Sequence, residues 1–231
     1  MTKVFSNKSF IDLSIIGISS IGVLLIFIIF NQGISSYVYN SSNPLLLRLI
    51  IPASLQFGIA GLGIVIIKFL RKESWINYGL HKKNAIISIL FSFVSFGPYI
   101  IVRQLTNPIT SYQPFQMVDL TRWLVGEPLI VILLGYLLIA VCWGFFEGFN
   151  YVVISSKVNQ WIPVKNMWLN WGAISCSLAS LLIHGMFFTN VLEFVEVISV
   201  FLIIYGILVT VTQTKNAWGM IFAFLLMWNA F

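Results

Sequence analysis

Three residues combine a reactive side chain with an apolar setting: Glu147 in VCWGFFEGFNYVVI, His184 in AISCSLASLLIHGMFF and Asn229 in MIFAFLLMWNAF. A carboxylate can take a proton from water, and an imidazole can hold that water or pass its proton on. A side-chain amide can stabilise the anionic tetrahedral intermediate of an acyl transfer. Each also has a purely structural reading: a protonated Glu bonded to a neighbouring helix, a His serving as a buried hydrogen-bond partner, an Asn at an interface. Metal chemistry fits poorly, because zinc sites draw on three or four His, Cys, Asp or Glu ligands. The apolar runs offer one His, one deep Glu and the scattered Cys142 and Cys176, and there is no HExxH.

These residues must be held by helices in lipid. The chain has 231 residues, of which thirteen are Lys or Arg and seven Asp or Glu, so 9% are charged while 59% are hydrophobic. Ordinary soluble domains carry about 25% charge. A water-soluble enzyme, a nucleic-acid binder and a disordered chain are excluded. Backbone groups in lipid must bond within their own segment, and no β-barrel alternation is present, so the class is all-α: a polytopic membrane helix bundle forming one integral-membrane domain over residues 1–231.

Seven stretches approach the roughly 20 apolar residues needed to span: 11–30, 45–69, 85–103, 128–156, 167–188, 195–213 and 217–231. With the N-terminus cytoplasmic, one side receives Lys3, Lys8, Lys68, Arg71, Lys72, Lys82, Lys83, Lys157, Lys165 and Lys215, and the other keeps Arg48, Arg103 and Arg122 with Asp119, Glu127, Glu193 and Glu196. Ten basic residues against three agree with the positive-inside rule and point to the cell membrane. Residues 70–84 read as an interfacial basic segment or a docking site for a partner or anionic lipid. Residues 104–127 read as the longest external loop, with a short helix in it.

Within this frame Glu147 is the one deep charge. Its helical neighbours are Trp143, Gly144, Asn150 and Tyr151, and the Gly144/Gly148 pair would let another helix approach closely. His184 shares its helix face with the small residues Ala173, Cys176, Ser177 and Ser180. If spans four and five run straight from the loop joining them, Glu147 and His184 differ in depth by about 12 Å. Their meeting would need a break or a strong tilt.

A Glu-centred span, a His-centred span and a terminal Asn in this order resemble the CAAX protease and bacteriocin-processing family of intramembrane endopeptidases, with signatures EExxxR, FxxxH and HxxxN. The resemblance covers about Leu129–Phe231, a motif-bearing core at about 125–231, with Tyr78-Gly79-Leu80 similar to a segment that precedes it. Glu147 matches one acid of the first signature. If it is the leading acid, Gly148 and Val152 replace the second acid and the Arg. If it is the second, Phe146 and Tyr151 are the replacements. His184 matches the second signature with Ser180 in place of Phe, and Asn229 the third with Leu225 in place of His. The resemblance implies hydrolysis of a membrane-associated peptide or prenylated protein among membrane lipids. Glu147 would be the general base, His184 would orient water and Asn229 would assist the oxyanion. No cofactor is expected beyond a metal ion, which only the resemblance suggests. The replaced residues point equally to an inactive relative acting as a binding or immunity-type protein. A small proton-coupled transporter is a third reading.

Overall fold

The computed structural model of the chain describes residues 7–106, 108–164 and 166–230. Lys3, Lys165 and Phe231, which enter the sequence expectations, lie outside them. The described residues are helical, with no strand among them. In order, the α-helices are α1 (Asn7–Val38), α2 (Leu45–Phe57), α3 (Gly63–Arg71), α4 (Ala85–Val94), α5 (Gly97–Thr106), α6 (Leu129–Ile139), α7 (Glu147–Trp161), α8 (Trp171–Ile183), α9 (Val191–Thr214) and α10 (Trp218–Ala223). Short π-helical segments link α2 to α3 (Gly58–Leu62) and α6 to α7 (Ala140–Phe146), and another follows α10 (Phe224–Trp228).

Five continuous helical stretches are long and apolar enough to cross a membrane: Asn7–Val38, Leu45–Arg71, Ala85–Thr106, Leu129–Trp161 and Val191–Thr214. They account for five of the seven expected segments. The other two apolar helices, Met167–Ile183 and Trp218–Trp228, are shorter. At a rise of 1.5 Å per residue the last is about 16 Å long, roughly half of a 30 Å hydrocarbon layer. The segment 111–124 meets its end: the Met117 amide donates to the Asn229 carbonyl at 3.0 Å, and the Gln113 amide to that of Ala230 at 3.3 Å. That segment is therefore more than an external loop. Phe115, Val118, Leu120 and Leu124 are buried with Leu49 and Ile139 in a second core.

The main core is formed chiefly by α7, α9 and α10. Close approach is set by small residues. A Cβ on Gly148 would lie 3.1 Å from the Met220 carbonyl oxygen, and one on Gly172 only 2.2 Å from that of Ser155. By contrast α1 leaves large apolar side chains such as Ile18, Ile28 and Ile29 exposed. That surface suits lipid and not water.

The basic segments expected on one side do gather at one end of the bundle, here called the near end. Arg71 closes α3 beside Asp12 of α1 (Nε–Oδ1 2.8 Å). The Ala217 amide donates to the Gly79 carbonyl at 3.0 Å, and Asn216 Nδ2 donates to the carbonyls of His81 and Lys83 at 2.7 and 2.8 Å. Gly79, at φ +94°, presses so closely on the 215–217 turn that a Cβ would sit 2.7 Å from the Ala217 nitrogen. Only glycine meets both demands at little cost.

Lys157 departs from its expected place in a connecting loop. It sits inside α7 and its side chain is 2% exposed, with Nζ 2.8 Å from Asp12 Oδ2 and 3.1 Å from each Glu73 carboxylate oxygen. Tyr78 also donates to Glu73. Two cations and two carboxylates thus close on one another, so a lysine can be buried without an unpaired charge. Burial pushes the Tyr78 hydroxyl up to about 12. The bond to Glu73 adds to the rise, and Lys157 opposes it.

Candidate functional site

Glu147 opens α7 directly after the π segment Ala140–Phe146. Its Oε2 accepts a hydrogen bond of 2.8 Å from Gln56 Nε2. Gln56 stands near the end of α2, just before the π segment Gly58–Leu62. Ala140–Phe146 packs against both Gly58–Leu62 and Phe224–Trp228. Two π-helical distortions therefore flank the Glu147–Gln56 pair, and a third packs on the one that precedes Glu147. Such segments make up well under 1% of residues in ordinary proteins and are frequent at functional sites.

The glycine reading holds in detail. A Cβ on Gly144 would lie 2.3 Å from a Leu225 methyl group, and one on Gly148 would press on Met220, Ile221 and Phe224. The two glycines bring α10 and its π extension against the helix that carries Glu147. The small-residue face of α8 is buried as well: Ala173, Cys176, Ser177 and Ser180 are covered, and Cys176 Sγ lies 3.6 Å from the Tyr151 carbonyl oxygen.

His184 is placed differently from the expectation. It caps α8 as the first residue beyond the helix, its amide donating to the Ser180 carbonyl at 3.1 Å, and its side chain is exposed. Gly185, at φ +62°, turns the chain away. One turn earlier, Ser180 is buried on α8 with no hydrogen-bond partner for its hydroxyl among the described residues. From Tyr151 a row of rings leads to His184. Tyr151 and Phe224 centroids are 5.4 Å apart, Phe224 and Trp228 stack at 5.0 Å, and Trp228 and His184 lie at 5.9 Å.

His184 and Asn229 do share a space. Both line a cavity of about 360 Å³ with Tyr99, Met117, Glu196 and Trp228, and Glu147 is not among its lining residues. Asn229 holds its backbone against Met117, while its amide nitrogen is buried with no hydrogen-bond partner. No hydrogen bond among the described residues joins Glu147 to His184 or Asn229. Comparison with protein-family models, curated proteins and solved structures finds no match for this chain.

Two polar residues escaped the sequence reading. Gln56 lies in LIIPASLQFGIAG, where an amide in an apolar run is itself a signal. Glu196, at the outer end of the expected span 195–213 and given no role there, stands in the second turn of α9, in the wall of the His184 cavity. No group of three or more His, Cys, Asp and Glu side chains among the described residues could hold a metal ion. The donor set does not fit one.

Proposed function

We propose that the chain is a membrane-embedded hydrolase of CAAX-protease-like design, with Glu147 as the general base that takes a proton from water. The observation that carries this reading is the Glu147–Gln56 pair flanked by two π-helical segments, with a third packed on the segment before Glu147. A carboxylate deep in an apolar helix is costly and is by default functional. In this reading the bundle lies in the cell membrane with the near end cytoplasmic. The cavity of His184 and Asn229 admits a membrane-associated peptide or prenylated protein segment, and the unpartnered Asn229 amide supplies an oxyanion donor. Purified protein in lipid should hydrolyse peptide substrates, and Glu147→Gln and His184→Ala should each abolish it. Turnover that survives both substitutions would sink the mechanism.

A second reading is favoured by the ring row of Tyr151, Phe224 and Trp228, which stands between the carboxylate and the imidazole. A base and a water-orienting group must reach one water. If the row stays closed, the same fold is a non-hydrolytic binding or immunity-type protein. Partner capture unchanged by Glu147→Gln, with no turnover, would decide for it.

A further inference from the structure

At the end of the bundle away from Asp12 and Lys157, two clefts meet at a shared wall. The His184 cavity is bordered by Tyr99 and Glu196, and the same two residues border a second space of about 250 Å³ that also holds Arg103 and Glu193. Arg103 and Glu196 line this space together with Tyr99, yet no ion pair joins them among the described residues. The Arg103 Nε is buried without a hydrogen-bond partner, as is the Asn229 amide nitrogen. Glu196 is half-buried and makes no hydrogen bond in the described structure. Its neighbour Glu193 differs: its Oε2 accepts from the Thr189 amide and hydroxyl at 2.7 and 2.9 Å.

Opposite charges that line one cleft without pairing, beside orphaned donors, call for a ligand that is itself a dipole. An ammonium would meet Glu196 and the faces of Tyr99 and Trp228, since aromatic rings attract organic cations. An acceptor-rich anion would meet the Arg103 guanidinium, for which phosphate is a natural partner. The thioethers of Met117, Met186 and Met227 and the side chains of Val200 and Ile203 give an apolar floor. Arg103 lies in the last turn of α5 and Glu196 in the second turn of α9. Charges near the ends of apolar helices sit at headgroup depth. We propose that this double cleft binds an ammonium–phosphate zwitterion of the aminoethyl phosphate type, as carried by an ethanolamine phospholipid. The proposal does not depend on Glu147 or on hydrolysis.

The full chain, in nanodiscs of phosphatidylglycerol alone, is titrated calorimetrically with soluble phosphoethanolamine and with dihexanoyl phosphatidylethanolamine. Ethyl phosphate, ethylamine and dihexanoyl phosphatidylglycerol are the comparison probes. Saturable binding of either zwitterion at least about tenfold tighter than each half-ligand is expected. The lipid probe binding alone identifies a headgroup in the bilayer, and the soluble probe binding alone identifies a free metabolite, with the recognition chemistry upheld in both. Glu196→Gln and Arg103→Gln should each weaken binding about tenfold or more, and Glu127→Gln, outside both clefts, should leave it unchanged. No saturable binding, zwitterions no tighter than their halves, or well-folded Glu196 and Arg103 variants that bind like the parent would overturn the proposal. The wild-type comparison decides even if a variant fails to fold.

Discussion

Gln56 and Glu147 are 91 positions apart in sequence, and a 2.8 Å hydrogen bond joins their side chains at the seam between α2 and α7. The amide faces the carboxylate from one side, while α10 closes on the same helix through Gly144 and Gly148. Glu147 thus has a fixed partner even though no cation among the described residues pairs with it. The pair ties this carboxylate to an element that the order of the signatures did not involve.

Gln56→Leu should destabilise the bundle by about 1–3 kcal/mol, the usual cost of leaving a buried polar group without its partner. Glu147→Gln, which keeps an acceptor oxygen toward Gln56, should cost less. Thermal unfolding in detergent ranks the two, and equal or reversed losses would refute a structural role for the pair.

Breaking the near-end cluster should cost more. Lys157→Met leaves Asp12 buried beside Arg71 alone and Glu73 short of its cation. A loss of about 3–5 kcal/mol is expected for removing one partner of a buried pair. Adding Asp12→Asn to Lys157→Met should recover part of it, because an uncompensated charge is removed. Strict additivity in the cycle would mean that the two side chains do not interact.

Glycine substitutions separate contact from free surface. Gly172→Ala drives a methyl group onto the Ser155 backbone and should cost about 1–3 kcal/mol as overpacking. A Cβ on Gly17 of α1 meets nothing within 4 Å, so Gly17→Ala should stabilise its helix by up to about 1 kcal/mol. Melting temperatures that move in the same direction for both would contradict the packing described.

Tyr78 supplies an alkaline signature. Its hydroxyl is pushed from an ordinary value of 10.0 to about 12, chiefly by burial. The raised value means that the folded state holds the proton more tightly than the unfolded state. The resulting stabilisation is full below pH 10 and is lost as the pH rises toward 12. A Tyr78→Phe variant should show a flatter stability profile across that window in chemical denaturation, and an identical slope in both proteins would count against the assignment.

Much of the frame was legible from residue spacing. The Gly144/Gly148 pair foretold a close helix contact, and the small residues Ala173, Cys176, Ser177 and Ser180 foretold the buried face of α8. The basic segments gather at one end as the charge asymmetry required. What spacing misjudged follows from two physical causes. A lysine was taken to mark a boundary, but Lys157 is neutralised by acids from α1 and from the 72–78 segment, and no local pattern announces such long-range pairing. His184 was read as lying within a span, but α8 ends at Ile183. The depth offset between Glu147 and His184 is visible in the residue count, and in the structure His184 lies beside Trp228 with no hydrogen bond to Glu147. Gln56 carries no charge and Glu196 lies at a helix end, so neither stands out as a deep charge in an apolar run, although one bonds Glu147 and the other lines the His184 cavity.

The cluster at the near end also orders events during synthesis. Asp12 leaves the ribosome first, and its first cation, Arg71, follows at the end of the second long helix. The opening hairpin can therefore insert with its deepest acid already matched. Lys157 emerges only after α6, when both of its carboxylate partners, Asp12 and Glu73, already precede it in the chain, so the contact that joins the two halves is also the last of the cluster to be synthesised.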